Sequence, residues 1–397
     1  MTLDIWHERG TSLEKQAFTW HDLVRAPISK LDNDAFTRIR IILMNGIESE
    51  ANRFSHAFAR VCPNNDVRLA LAKVRRVEQH QQTLVNWLLG ADHSPLETTI
   101  GFEQVAIEVT AAVAQREPDP YLAQVHRFGL LEDFDHMYRF SALMDRMQGK
   151  DANNILQCYT DVVPGRPTAV EHRHPSDDLR RPYDRRTAEA ITKINSLTIM
   201  AGENQTHDYY MTIGPMFADP LARQLYAEIA SIEEQHVTQY ESIIDPTETL
   251  YEKWLMHELC EVFNYWSCLQ TEEDPRVRGL WEQLLSQELG HLHFVMEVMK
   301  KYEKRDPTEV LPTRLPDPLP YTSQRKFVRK VLAEEVNFRA RGTEIGSLEE
   351  STATRRYREV MNAEGSPSER VASQYRFTPG TELSMTRGRF GAQEAQS

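Results

Sequence analysis

The chain is poor in several things that would have pointed elsewhere. Its four cysteines, Cys62, Cys158, Cys260 and Cys268, are scattered with no CxxC pair. That argues against a zinc ribbon, a rubredoxin-type iron centre and a disulfide framework. There is no Gly-rich phosphate loop, GxSxG elbow or credible Cys-His pair. No apolar run approaches the roughly 18 residues of a membrane span. The first residues, MTLDIWHERG, lack the basic and apolar regions of a signal peptide, so the expected location is the cytoplasm, with no membrane partner. Positive charge is in deficit: 46 Lys and Arg against 59 Asp and Glu give a net charge of -13. No basic patch with interleaved aromatics stands out, which makes nucleic acid a poor partner and cations a better one.

What is present is helical texture in an ordinary soluble composition, 40% hydrophobic and 26% charged over 397 residues. After a polar N-terminal arm (1-32), apolar residues recur at three and four. Turn chemistry at Pro63-Asn64-Asn65, Gly90 to Pro95 and Pro118-Asp119-Pro120 divides this stretch. Helices are expected near 34-60, 66-90, 96-115 and 120-148, which makes residues 33-148 a first four-helix bundle. A Pro-rich polar linker (149-185) follows. Helices near 186-212, 218-244, 248-270 and 275-303 then make residues 186-303 a second bundle. The C-terminal extension (304-397) carries one expected helix near 322-340 and is otherwise expected to be partly disordered. It is mildly basic, with 16 basic and 13 acidic residues, and could lie along the acidic body.

A fixed offset of 155 in the numbering superposes the two helical stretches without a gap. Asp119-Pro120 falls on Asp274-Pro275, Pro27 on Pro182, Glu48 on Glu203, Glu78 on Glu233, Glu103 on Glu258, Asp133 on Glu288 and His136 on His291. We read this as an internal duplication.

In the second half Glu233 to His236 and Glu288 to His291 both read ExxH, which puts a carboxylate and an imidazole on one helix face. The spacing from Glu203 to Glu233 equals that from Glu258 to Glu288. Equal arms on two antiparallel hairpins place the four acids at one height, near mid-helix. Buried carboxylates there are costly unless a metal or partner neutralises them.

The pattern of two ExxH helices and two single acids resembles the ferritin-like superfamily of di-iron and di-manganese carboxylate proteins. The resemblance covers both halves but neither linker nor tail. It implies an all-α fold of two tandem ferritin-like four-helix bundles. The metal ligands it implies are Glu203, Glu233, His236, Glu258, Glu288 and His291, with Glu233 and Glu258 or their equivalents able to bridge two ions. Glu261, one turn after Glu258, is a possible extra ligand. The first half keeps Glu48, Glu78, Glu103, Asp133 and His136 but has Gln81 where the repeat has His236, so it is expected to hold a degenerate site, or acids paired with Arg75, Arg76 or Arg139. His80 and Asp135 are off the inward phase and are expected at the surface. The connection between the second and third helices is a tight turn at Asp245-Pro246, shorter than ferritin topology uses. The halves are therefore up-down-up-down bundles, or they exchange hairpins between repeats or subunits.

Four anionic oxygen ligands and two imidazoles suit two iron ions that activate O2 or peroxide, so a non-haem di-iron oxidoreductase with an external electron donor is expected. Two manganese ions or a mixed Fe/Mn pair, as in a manganese catalase, are the alternative cofactors. An iron-storage or ferroxidase role is another alternative, and a helical interaction protein with acid-arginine pairs is the non-enzymatic one. A homodimer follows only from the resemblance. His207, the pair His172 and His174, and the aromatics Tyr209, Tyr210, Tyr240, Tyr265, Trp254, Trp266 and Trp281 are secondary candidates around the site. Glu344 to Leu348 (EIGSL) faintly resembles the cargo tags of encapsulated ferritin-like proteins.

Overall fold

The computed structural model describes residues 3-335 and 350-376. The expected tag at 344-348, and the final residues expected to be disordered, lie outside the described residues. The described chain is all helical, with no strand. No described helix is long and apolar enough to cross a membrane.

Eight long helices form the body: α1 (Ala35–Val61), α2 (Asn65–Asn86), α3 (Pro95–Arg116), α4 (Pro120–Gln148), α5 (Ala190–Ile213), α6 (Pro220–Ser242), α7 (Leu250–Thr271) and α8 (Pro275–Val298). Seven of the eight starts have a capping side chain. The side chains of Asp34, Asn64, Asp119, Asp219 and Asp274 accept from the free N–H groups of the first turn. Ser94 and Thr249 form capping boxes with Glu97 and Glu252. Proline occupies the first position of α3, α4, α6 and α8, where its missing N–H costs nothing. The starts of α5 to α8, at 190, 220, 250 and 275, repeat those of α1 to α4, at 35, 65, 95 and 120, with the offset read from the sequence.

Consecutive helices pair as the hairpins α1-α2, α3-α4, α5-α6 and α7-α8. The hairpins then combine across the two halves. α1-α2 packs on α7-α8 through α1 with α7 and α2 with α8, while α3-α4 packs on α5-α6 through α3 with α5 and α4 with α6. α1 also lies along α5, and Arg53 reaches Asn204 and Asp208 there. Of the arrangements left open by the sequence, the exchanged one is found, within a single chain.

The stretch expected to be a polar linker folds back over the helices, and the N-terminal arm does the same at the other end. Arg166 N–H donates to Leu131 O at 3.0 Å, and Thr11 N–H donates to Ser286 O at 2.6 Å. A Cβ on Gly165 would lie 2.4 Å from Leu131 O, and one on Gly10, at φ +60°, 2.1 Å from Ser286 O. The repeat offset carries each of these pairs onto the other, and it does the same for Ile28 on Leu88 O and Tyr183 on Ile243 O. The strap that precedes each half thus crosses the fourth helix of the other half, the N-terminal arm on α8 and the linker on α4. The described part of the C-terminal extension adds α9 (Arg325–Glu335), α10 (Thr352–Met361) and α11 (Pro367–Ala372). Arg325 and Arg329 pair with Asp161 at 2.6 Å, so the basic extension does lie on the acidic body. Ser368 N–H meets Glu228 at 2.7 Å.

Candidate metal centres

The exchange of hairpins divides the expected ligand set in two. Glu203, Glu233 and His236 do not meet Glu258, Glu288 and His291. They meet Asp133, Glu103 and His136 of the first half, while Glu258, Glu261, Glu288 and His291 meet Glu78. Glu48 joins this second group through Tyr265 of α7, whose hydroxyl donates to it, and Gln81 joins it by donating to Glu288. The expected single six-ligand site in the second half is therefore corrected to two clusters, each built from one hairpin of either half. The physical reason lies in the neighbours of the imidazoles. The outer nitrogen of His236 meets the carboxylate of Glu132 of α4 at 2.9 Å. A bundle of α5 to α8 alone would offer Gln287, the repeat partner of Glu132, which instead meets the amide of Gln81.

In the first cluster Asp133, Glu203, Glu233 and His236 have ligand atoms within 4.8 Å of one another, and so do Glu103, His136 and Glu233. Glu233 belongs to both groups. Its Oε1 lies 3.1 Å from His136 Nδ1 and its Oε2 lies 3.1 Å from His236 Nδ1. The outer nitrogens are fixed: His136 Nε2 meets Glu171 of the strap at 2.8 Å, and His236 Nε2 meets Glu132. Glu132 is in turn held by Arg173 at 2.5 Å and Arg166 at 3.3 Å. A carboxylate behind a histidine in this way sets the tautomer and aims the inner nitrogen at an ion.

The second cluster repeats the plan with substitutions. Glu78, Glu258 and His291 form one group, and Glu258, Glu261 and Glu288 form another. His291 Nδ1 faces Glu288 at 3.0 Å, and its Nε2 meets Gln16 of the N-terminal arm at 2.7 Å. Gln16 is the repeat partner of Glu171, so the two straps serve their histidines alike. Trp254 Nε1–H donates to Glu258 at 2.8 Å.

Every one of these acids is buried. Both oxygens of Asp133, Glu203 and Glu261, and one each of Glu48, Glu78, Glu103 and Glu258, have no hydrogen-bond partner among the described residues. None of the cluster acids pairs with an arginine or lysine; their ion-pair partners among the described residues are the three histidines. The pairing with Arg75, Arg76 or Arg139 is therefore absent from the ligand acids. Asp135, expected at the surface, is buried and takes Arg139 at 2.8 Å together with Thr168 of the strap, while His80 is half-buried against Phe18.

Burial pushes Glu203 up to about 7 and Glu78 up to about 8, and it lifts Glu48, Glu103, Asp133, Glu258 and Glu261 well above the carboxylate range. Glu233 goes the other way: burial raises it, but the two facing imidazoles outweigh burial and hold it low. Oxygens and imidazole nitrogens around one ion, at about 2.1 Å and 90–110°, stand about 3.0–3.4 Å apart. The distances from His236 Nδ1 to Glu233, Asp133 and Glu203 are 3.1, 3.3 and 3.6 Å. The first two fall within that spacing and the third, at 3.6 Å, lies slightly beyond it, and the donor types fit a metal.

Sequence reasoning missed Glu132, Glu171, Gln16 and Arg173, which aim the histidines rather than line the cluster. Carrying the repeat offset beyond the expected ligands would have flagged Gln16 with Glu171 and Glu132 with Gln287. His207 turns to Asp208 and is no part of either cluster. His172 is buried beside Glu228 while His174 caps a short turn, so the two do not converge. No family model, no curated protein and no solved structure matches the chain.

Proposed function

We propose that the chain is an internally duplicated ferritin-like protein with hairpins exchanged between its halves. In this reading the first cluster is a dinuclear iron centre that activates O2 or peroxide in an oxidoreductase. The observation that carries it is Glu233, each of whose oxygens faces the inner nitrogen of a different, outwardly anchored histidine. Glu103, Asp133, Glu203 and Glu233 would carry four negative charges, which two divalent ions balance. Glu132 has its own arginines and needs no ion. Two iron ions held by such a hard, anionic ligand set would supply the electrons for activating oxygen.

The chain's own side chains do the rest. Asp133, Glu203 and His236 would hold one ion and Glu103 and His136 the other, with Glu233 common to both groups. Tyr210 holds Glu103 through a hydroxyl hydrogen bond. Tyr240, fully buried, stacks on His126 at 5.6 Å with its hydroxyl unpartnered among the described residues, and it feels the charges of Glu203 and Asp133. A narrow cleft between α1, α3 and α5 is lined mainly by apolar side chains such as Leu43, Val105, Val109 and Ile199, with Thr110, Thr198, Thr206 and Glu203 also on its wall. It is suited to a small apolar molecule such as O2 and unsuited to a bulky polar substrate.

The test is metal analysis and oxygen uptake on protein purified without added metal, beside Glu233→Ala. About two iron ions at this centre, lost together with oxygen uptake in the variant, is the expected result. Manganese with peroxide dismutation would move the reading to a manganese catalase. Protein that refuses both Fe(II) and Mn(II) under anaerobic conditions would overturn it.

A further inference from the structure

The second cluster is unlike the first in composition, and the differences run in one direction. Where the first has His236, the second has Gln81, whose amide nitrogen donates to Glu288. Behind that position Glu132 is replaced by Gln287, and behind the remaining histidine Glu171 is replaced by Gln16. Glu261, whose repeat partner is Ala106, adds a fifth carboxylate to Glu48, Glu78, Glu258 and Glu288. The set has thus lost an imidazole and two carboxylates that would make its imidazoles more basic, and has gained an oxygen ligand.

We propose that Glu48, Glu78, Glu258, Glu261, Glu288 and His291 form a second metal site, built for a hard divalent cation of the Mn(II) type rather than for the iron pair of the first centre. Glu258 is shared by its two ligand groups. The unpartnered buried oxygens of Glu48, Glu78, Glu258 and Glu261 mark where the cation is needed. No arginine or lysine pairs with these acids among the described residues, and five carboxylates packed together in a buried site call for a positive ion. Oxygen-rich sets favour Mg, Ca and Mn over the ions that imidazole selects. A histidine backed by a neutral amide is also a weaker donor than one backed by a carboxylate. The cation therefore binds less tightly than those of the first centre and is the first to leave when a chelator is added. This inference does not depend on what the first centre catalyses.

The experiment uses the full chain with the first centre disabled by Glu233→Ala, loaded anaerobically with Mn(II), passed through a desalting column and read by metal analysis and low-temperature EPR. Retained Mn(II) that is lost on adding Glu258→Ala is the expected result, as is affinity at least tenfold weaker with Glu261→Gln. A folded Glu233→Ala protein that keeps no Mn(II), or Mn(II) that survives Glu258→Ala, overturns the proposal. Should Glu233→Ala fail to fold, His291→Gln in the otherwise unchanged chain gives the same information. Loss of the readily chelated Mn(II) with the first centre's metal intact supports the second site, and unchanged Mn(II) refutes it. Mn(II) held here in a chain whose first centre takes no metal would sink the oxidoreductase reading and leave this site standing.

Discussion

Buried carboxylates without a counter-charge hold protons, and in this protein that gives stability a sign with pH. Burial pushes Glu203 to about 7 and Glu78 and Glu171 to about 8, all above their unfolded values. A carboxyl raised in this way contributes stability that is complete below its unfolded pKa and is lost as pH rises through the folded one. His136 and His236 act in the same sense. Burial opposes their charge, but the facing acids, Glu171 for His136 and Glu203 for His236, outweigh it and hold both rings well above their usual value. The metal-free protein should therefore lose stability as pH climbs from about 5 to about 8. Metal ions displace those protons, so the gain in Tm on loading should be larger at the upper end of that range. Scanning calorimetry of chelator-treated and loaded protein reads this directly, and equal gains at both ends would contradict it. The outer partners of the histidines give a second residue-scale prediction. Glu171→Gln keeps the shape but makes the support for His136 resemble that for His291, and it should weaken metal at the first centre by about 10–100-fold. A competition titration that shows no change would remove the strap from the account.

Among the elements, the helices were legible in the sequence and the straps were not. Apolar spacing, capping side chains and N1 prolines act locally, so the ends expected at 96-115, 120-148 and 248-270 lie within two residues of the observed Pro95–Arg116, Pro120–Gln148 and Leu250–Thr271. The Pro-rich polar run around Gly165 to His174 has no such period. Its structure comes from distant partners, with Arg166 on Leu131 O, Thr168 on Asp135 and Glu171 on His136. Glycine makes those approaches possible on the other strap as well. A Cβ on Gly290 would lie 1.9 Å from Thr11 O, so Gly290→Ala should lift the N-terminal arm from α8 and take Gln16 away from His291. The expected cost is about 1–3 kcal/mol in chemical denaturation, together with weaker Mn(II) binding at the second cluster and no loss of iron at the first. An unchanged denaturation midpoint would show that the arm does not press on α8.

At the scale of the whole molecule, the residue types of the site were legible but their partnership was not. A repeat presents α1-α2 and α5-α6 as equivalents, and α3-α4 and α7-α8 likewise, so ligand spacing alone fits a local bundle and an exchanged one equally well. The choice is made by side chains outside the ligand pattern. Exchange matches His236 with Glu132 and Gln81 with Gln287, whereas local bundles would set a neutral amide behind the histidine and a buried carboxylate beside an amide, at a desolvation cost. The most direct test is a crystal of the iron-loaded protein with anomalous differences recorded at the iron edge. The exchanged centre predicts two peaks flanking Glu233, one beside His136 and one beside His236. A peak shared by His236 and His291, or none near His136, would contradict it.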